Sequence, residues 1–142
     1  MPTHRLTTRT GTFRVRLEGP DQAPALVFSN SLGTPLAMWD GQAADLSRDF
    51  RIVRYDTRGH GHSEAGQGPY GLNQLGEDVI ALLDALDIGK ASFCGISMGG
   101  ITGLWLGIHA AHRLDRLMVS NSAARIGTAA GWQDRAGMVL SQ

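Results

Sequence analysis

A serine between two glycines is the part of this sequence best suited to covalent chemistry. Residues 91–103 begin as a short apolar run and turn through Gly95, Ser97 and Gly99 into a second apolar segment. A hydroxyl that attacks a carbonyl stands exposed on a strained turn between a strand and a helix, and flanking glycines prevent clashes there. The G-x-S-x-G pattern therefore predicts a nucleophile elbow with Ser97 as the nucleophile.

The segments around this pattern favour an elbow over a coincidental glycine turn, which a chain with 19 glycines could also contain. Residues 92–95 are expected to form a buried strand, and the apolar residues of 101–108 continue as a helix. Backbone N–H groups at the start of such a helix can stabilise a developing oxyanion. Met98 N–H is the first donor predicted, and Leu32 N–H, in a turn after an earlier strand, is the second. The alternative for the Leu32 segment is an ordinary polar turn.

These groups need a scaffold that brings several loops together, and the alternation of strands with helices provides one. Such strands pair in parallel through right-handed crossovers, so the sequence predicts an α/β layered domain. Ligands bind to such a sheet beyond the carboxyl ends of its strands. Residue patterns predict strands at 12–17, 25–28, 52–55, 92–95 and 116–121, and an amphipathic helix from Leu72 to Gly89.

Composition limits the expected partners and location. The 142-residue chain has the length of one domain. Thirteen basic residues balance thirteen acidic ones without a cluster of one sign, so neither nucleic acid nor an anionic membrane is expected as a partner. No apolar stretch approaches the roughly 20 residues that span a bilayer, and no signal region is recognised, so a cytoplasmic location is expected. The single cysteine, Cys94, is expected to have a structural role in a buried strand.

A second polar loop follows the predicted strand at 52–55, with glycines at alternate positions between Asp56 and Ser63. Its expected role is structural, with Asp56 and Arg58 binding local backbone and each other. His60 and His62 lie two residues apart, but no third ligand is nearby, so no metal site is predicted.

Three loops in this order resemble the α/β-hydrolase superfamily: the segment after Phe28, the loop at 56–63 and the elbow at 95–99. Within that superfamily the chain resembles the 3-oxoadipate enol-lactonases. The resemblance implies an α/β-hydrolase fold, with a mostly parallel sheet and helices on both faces. Compared with the full fold, this chain is expected to be truncated after about the sixth strand. The closer match rests on Asn30-Ser-Leu-Gly-Thr34 with Met38-Trp39, on Arg54–Ser63, on Phe93–Gly100 and on Asn121–Gly127.

The resemblance further implies hydrolysis of 3-oxoadipate enol-lactone to 3-oxoadipate, a step in the catabolism of aromatic compounds, without a cofactor. Ser97 would attack the lactone carbonyl, the N–H groups of Leu32 and Met98 would hold the oxyanion, and water would then hydrolyse the acyl-enzyme. Trp132 and Arg135 match positions of substrate contacts in the family, where a cation would orient the substrate carboxylate. The alternative is a core tryptophan and a surface arginine of a cap helix.

The family pattern also requires an acid and a histidine after the serine, and these are expected beyond residue 142. The sequence is therefore interpreted as the amino-terminal half of a lactonase. Its expected parts are a disordered tail at 1–10, part of the hydrolase core at 11–124 and the start of a cap at 125–142. On its own, the chain is expected to be nearly inert and to self-associate through an exposed apolar sheet edge and face, unless its C-terminal half is supplied.

A local histidine is a weak substitute for the absent base. His109 and His112 lie roughly 18 Å or more from Ser97 along the predicted helix, which leaves only His60 or His62. Two alternative functions stay open at this point. One is a general carboxylesterase or a perhydrolase of the same superfamily, and the other is a non-catalytic binding module built on half a hydrolase.

Overall fold

The computed structural model describes residues 2–142 and contains, within them, one six-stranded sheet and four α-helices. The strands are β1 (His4–Thr8), β2 (Gly11–Glu18), β3 (Ala25–Ser29), β4 (Arg51–Tyr55), β5 (Ala91–Ile96) and β6 (Leu114–Ser120). The helices are α1 (Asp40–Leu46), α2 (Leu72–Ala85), α3 (Met98–His109) and α4 (Ala129–Leu140). Two short 3-10 helices cover Leu36–Trp39 and Ala111–Arg113.

The strands follow the order β1-β2-β4-β3-β5-β6 across the sheet. Strands β4, β3, β5 and β6 run parallel, whereas β1 and β2 form an antiparallel extension beside β4. The expected α/β fold with a mostly parallel sheet is thus confirmed. Ser29, the last residue of β3, pairs with Gly95 near the end of β5. The loop after β3 and the turn after β5 therefore leave the sheet side by side.

Helices pack on both faces of the sheet, as expected. On one face, α2 and α3 bury an apolar core that includes Val79, Leu82 and Leu106 against Val27 and Phe93 of the central strands. On the other face, the first 3-10 helix and α1 cover only part of the sheet, and the Trp39 ring stacks on the Phe28 ring at 4.5 Å between centroids.

The expectation of a disordered tail at residues 1–10 is wrong for His4–Thr8, which form β1. Met1 lies outside the described residues. β1 pairs with β2 through a tight hairpin, and Leu6, opposite Phe13, packs against the core. Four of its five side chains are polar, so the sequence of β1 lacks the alternation of apolar and polar residues that predicts a strand. Backbone pairing with β2 and the packing of this one leucine hold β1 on the sheet.

The amphipathic helix α2 ends earlier than Gly89, at Ala85. Asp87 adopts a left-handed conformation with φ 53°, its N–H donates to Asp84 O at 3.2 Å, and Ile88 N–H donates to Leu83 O at 2.9 Å. These bonds form a Schellman motif, which satisfies the last carbonyl groups of a helix. Glycine is usual at the left-handed position, and because aspartate occupies it here, the sequence pattern placed the end of the helix too late.

Candidate active site

Ser97 lies at the junction of β5 and α3 in a conformation that side chains rarely adopt. Its backbone angles are φ 54° and ψ −113°. Both flanking glycines are required by close packing: a Cβ atom at Gly95 would lie 2.1 Å from Gly99 O, and one at Gly99 would lie 2.1 Å from Ser29 O. The turn therefore has the strained strand-to-helix form of a nucleophile elbow.

Four hydrogen bonds hold this elbow to its neighbours. Ser97 N–H donates to Ser120 O of β6 at 3.0 Å, and the Ser122 hydroxyl donates to Ser97 O at 2.7 Å. Ile101 N–H donates to the same Ser97 carbonyl at 3.1 Å, which begins the helical pattern of α3. Gly99 N–H donates to Asn30 O at 3.0 Å and so ties the elbow to the loop after β3. The strain at Ser97 is thus balanced by contacts on two sides.

The two predicted oxyanion donors are the N–H groups of Met98 and Leu32. They lie on the two segments that the hydrogen bond from Gly99 N–H to Asn30 O joins, the elbow and the loop after β3. Met98 is the first residue of α3, a position where the backbone N–H has no acceptor within its helix. Leu32 occupies a tight turn in which Thr34 N–H donates to Ser31 O at 3.3 Å and Gly33 has φ 78°. Such a turn requires a positive φ at its third residue, which explains the glycine.

The buried side chain of Asn30 fixes the start of the Leu32 turn. Its Nδ2 donates to Tyr55 O of β4 at 2.9 Å, and its Oδ1 accepts a hydrogen bond from Trp39 Nε1 at 3.0 Å. Nothing in the sequence pattern singled out this side chain, because an Asn in a polar turn is common and its partners lie on distant segments.

Two neighbouring clefts lie at this end of the sheet. The first, of about 430 Å³, is lined by Ser97 and Met98 together with Leu32 and Trp132. The second, of about 510 Å³, shares Leu32 and Trp132 with the first and adds Arg135. The structure therefore places four of the five predicted site residues around one cleft and Arg135 in the adjoining one.

Comparison with known proteins agrees with this geometry. Residues 24–142 match the family model of the alpha/beta hydrolase fold. The chain belongs to the α/β-hydrolase family. It is 55% identical over 132 residues to 3-oxoadipate enol-lactonase 1 of Acinetobacter baylyi, an alignment that covers 92% of this chain and 49% of that protein.

Two solved structures show the same arrangement over most of this chain. A hydrolase from Pseudomonas aeruginosa PA01 superposes with a TM-score of 0.93 at 48% identity, over 99% of this chain and 53% of that one. The enol-lactonase from Burkholderia xenovorans LB400 superposes with a TM-score of 0.90 at 49% identity, over 95% of this chain and 52% of that one. The resemblance to the enol-lactonases is confirmed, and the chain spans about half the length of the relatives it matches.

The loop at 56–63 differs from expectation in its ion pairs. Asp56 and Arg58 do not bind each other. Asp56 instead accepts hydrogen bonds from the N–H groups of Leu36, at 2.7 Å, and His62, at 2.9 Å. Arg58 forms a buried bidentate pair with Asp78 of α2, at 2.9 and 2.7 Å. The hydrogen bonds that Arg58 donates to the Asp78 carboxylate raise the pKa of Arg58, so this guanidinium is always charged.

Two histidine side chains within residues 2–142 lie against backbone carbonyl groups. His60 Nδ1 lies 3.0 Å from Arg58 O, and His109 Nδ1 lies 3.0 Å from Trp105 O. Within residues 2–142, no histidine side chain hydrogen-bonds to the Ser97 hydroxyl. Residues 2–142 thus hold the elbow serine and two candidate oxyanion donors, and no histidine among them is hydrogen-bonded to the serine hydroxyl.

The remaining predicted features concern metals, membranes and the cysteine. Across residues 2–142, no group of three metal-binding side chains comes together, and no helix is long and apolar enough to cross a membrane. Cys94 is buried in β5, with its Sγ 3.6 Å from the Met118 sulfur. Burial raises the pKa of the Cys94 thiol, which disfavours the reactive thiolate.

Proposed function

We propose that this protein hydrolyses 3-oxoadipate enol-lactone to 3-oxoadipate with Ser97 as its nucleophile. The observation that supports the proposal most is the strained Ser97 elbow, which opens on a cleft shared with Leu32 and Met98. The 55% identity to a 3-oxoadipate enol-lactonase supports the choice of substrate.

In the proposed reaction the Ser97 oxygen bonds to the lactone carbonyl carbon while a base takes the hydroxyl proton. The resulting oxyanion accepts hydrogen bonds from the N–H groups of Leu32 and Met98. Its collapse breaks the ring C–O bond, and the departing enol oxygen receives the proton from the base. The enol then becomes the ketone, and water hydrolyses the acyl-enzyme by the same steps. The base and the acid that orients it belong to polypeptide outside these 142 residues.

The substrate carries a free carboxylate, and Trp132 and Arg135 are proposed to bind it. The Arg135 guanidinium lies 5.3 Å from the centre of the Trp132 ring. Stacking of this kind orients the guanidinium and leaves its N–H groups available to an anion. No carboxylate of residues 2–142 forms a salt bridge with Arg135.

The product of the complete reading frame tests the proposal, with release of 3-oxoadipate measured by chromatography. We expect turnover by the wild-type protein, a loss of at least about 10⁴-fold in Ser97→Ala, and near-wild-type rates in the control Ser92→Ala on β5, the strand that leads to Ser97. The 142-residue chain alone should show almost none. A preference for neutral aryl esters would instead indicate a general carboxylesterase. Ligand binding without Ser97-dependent turnover would indicate a binding module.

A further inference from the structure

We propose that His60 is a substrate-binding residue which, together with Arg135, selects substrates that carry a carboxylate on an arm at the leaving-oxygen side of the reacting ester. The proposal rests on the proposed function and extends it to substrate selection. It gives a role to the loop at 56–63, whose alternate glycines have no part in the chemistry at Ser97.

The second cleft provides the place for such an arm. It adjoins the Ser97 cleft through Leu32 and Trp132, and its volume of about 510 Å³ lies within the usual range of small-molecule sites. Its ionisable lining groups are His60 and Arg135, and no carboxylate side chain of residues 2–142 lines it. The remaining walls are mostly apolar, so an anion that enters finds donors without a competing negative charge.

The loop that carries His60 has a glycine in a left-handed conformation on each side of the histidine. Gly59 and Gly61, on either side of it, have φ 73° and 52°. A Cβ atom at Gly61 would lie 2.1 Å from Asp56 Oδ2, so the buried Asp56 carboxylate occupies the space of that side chain. His60 N–H donates to Thr57 O at 2.9 Å. The alternate glycines thus allow the chain to wrap around Asp56 and bring His60 to the cleft.

The imidazole of His60 is itself held in position. Its Nδ1 lies 3.0 Å from the carbonyl oxygen of Arg58, whose guanidinium is fixed by Asp78. Because a carbonyl oxygen only accepts, Nδ1 carries the hydrogen in this bond. Nε2 is therefore the ring nitrogen available to a ligand, and the form that binds a carboxylate is the imidazolium, in which both ring nitrogens donate. A preorganised donor of this kind binds its ligand with little loss of entropy.

His62 provides a matched control on the same loop. Its backbone N–H binds Asp56, but its exposed side chain lines neither cleft. Variants His60→Leu and His62→Leu remove the same polar atoms from positions two residues apart. Only the first changes a group that faces the second cleft.

The test measures kcat and KM for 3-oxoadipate enol-lactone and for a neutral aryl ester, with the product of the complete reading frame. For His60→Leu, we expect KM for the anionic lactone to rise about tenfold or more, as for a lost hydrogen bond to a charged group. The KM for the neutral ester and both kcat values should stay within about twofold. His62→Leu should leave all four constants within about twofold.

Equal rises of KM for both substrates, or no rise for the lactone, would overturn the role of His60 while Ser97-dependent turnover still supports the proposed function. Binding of adipate, measured by calorimetry without turnover, provides a readout that does not depend on catalysis. His60→Leu should weaken adipate binding about tenfold and His62→Leu should not, and equal affinities would again overturn the inference. If His60→Leu fails to fold, His60→Gln is measured in the same way and should raise KM for the lactone about threefold or more.

Discussion

At the scale of single residues, the elbow depends on two glycines that leave no room for a side chain. The sequence pattern predicted Ser97, Gly95 and Gly99 together because the motif combines a hydroxyl with the steric demands of its turn. The same reasoning did not predict a substrate-binding role for His60. Alternate glycines show that a loop bends tightly, but they do not show which side chain the bend brings to a cleft.

Substitution of Gly99 by alanine tests the packing of the elbow. The added Cβ atom would lie 2.1 Å from Ser29 O, a backbone atom that cannot move away by itself. We expect Gly99→Ala to lower the free energy of unfolding by about 1–3 kcal/mol or more, measured by urea denaturation. The control is Gly41→Ala in α1, where nothing lies within 4 Å of the added atom. It should raise the free energy by about 0.5–1 kcal/mol, and a similar loss in both variants would contradict the argument.

At the scale of secondary-structure elements, the loop at 56–63 is held to α2 by the buried pair of Arg58 and Asp78, whose side chains are 7% and 2% exposed. Removal of one partner from a buried pair leaves an uncompensated charge. We expect Asp78→Ala to lower the free energy of unfolding by about 3–5 kcal/mol, measured by thermal or urea denaturation.

The adjacent residue of α2 provides the control for this pair. Glu77 forms a salt bridge with Arg9 in which both side chains are about half exposed, at 43% and 51%. Solvent screens such a pair, so Glu77→Ala should cost at most about 1 kcal/mol. If Asp78→Ala costs no more than Glu77→Ala, the pair does not anchor the loop.

Elements with a strong apolar pattern were predictable, and those without one were not. Strands β2 to β6 and helices α2 and α3 correspond to expected segments, with end points that differ by a few residues. Helix α1 has no counterpart among the predictions, because only Ala43 of its seven residues is buried. Strand β1 was missed for the same reason, since Leu6 alone connects it with the core. Tertiary contacts, rather than local pattern, determine these two elements.

At the scale of the whole molecule, the sheet has one incompletely covered apolar face. A groove of about 1090 Å³ runs over this face beside α1, and its lining includes Phe28, Cys94 and Met118. Met118 on the outer strand β6 is 63% exposed. Large exposed apolar surfaces and open strand edges favour association. The relatives are about twice as long as this chain, so this face is proposed to be covered by the rest of the polypeptide.

The 142-residue chain on its own should therefore self-associate at micromolar concentration, measured by analytical ultracentrifugation. Met118→Glu should increase the monomer fraction, because it places a charge on the proposed contact face. Met138→Glu on α4, where the native side chain is 62% exposed, is the matched control and should change the monomer fraction less. A wild-type chain that is monomeric and unfolds cooperatively at all concentrations would contradict this expectation.

The central claim is that the Ser97 hydroxyl oxygen is the nucleophile that forms a covalent acyl-enzyme. Peptide mapping tests this claim most directly. The product of the complete reading frame is treated with a fluorophosphonate probe, digested and analysed by tandem mass spectrometry. We predict a single adduct on Ser97, which is absent from the unfolded protein and prevented by excess 3-oxoadipate enol-lactone. An unmodified Ser97, or an adduct on another residue that the lactone prevents, would contradict the account.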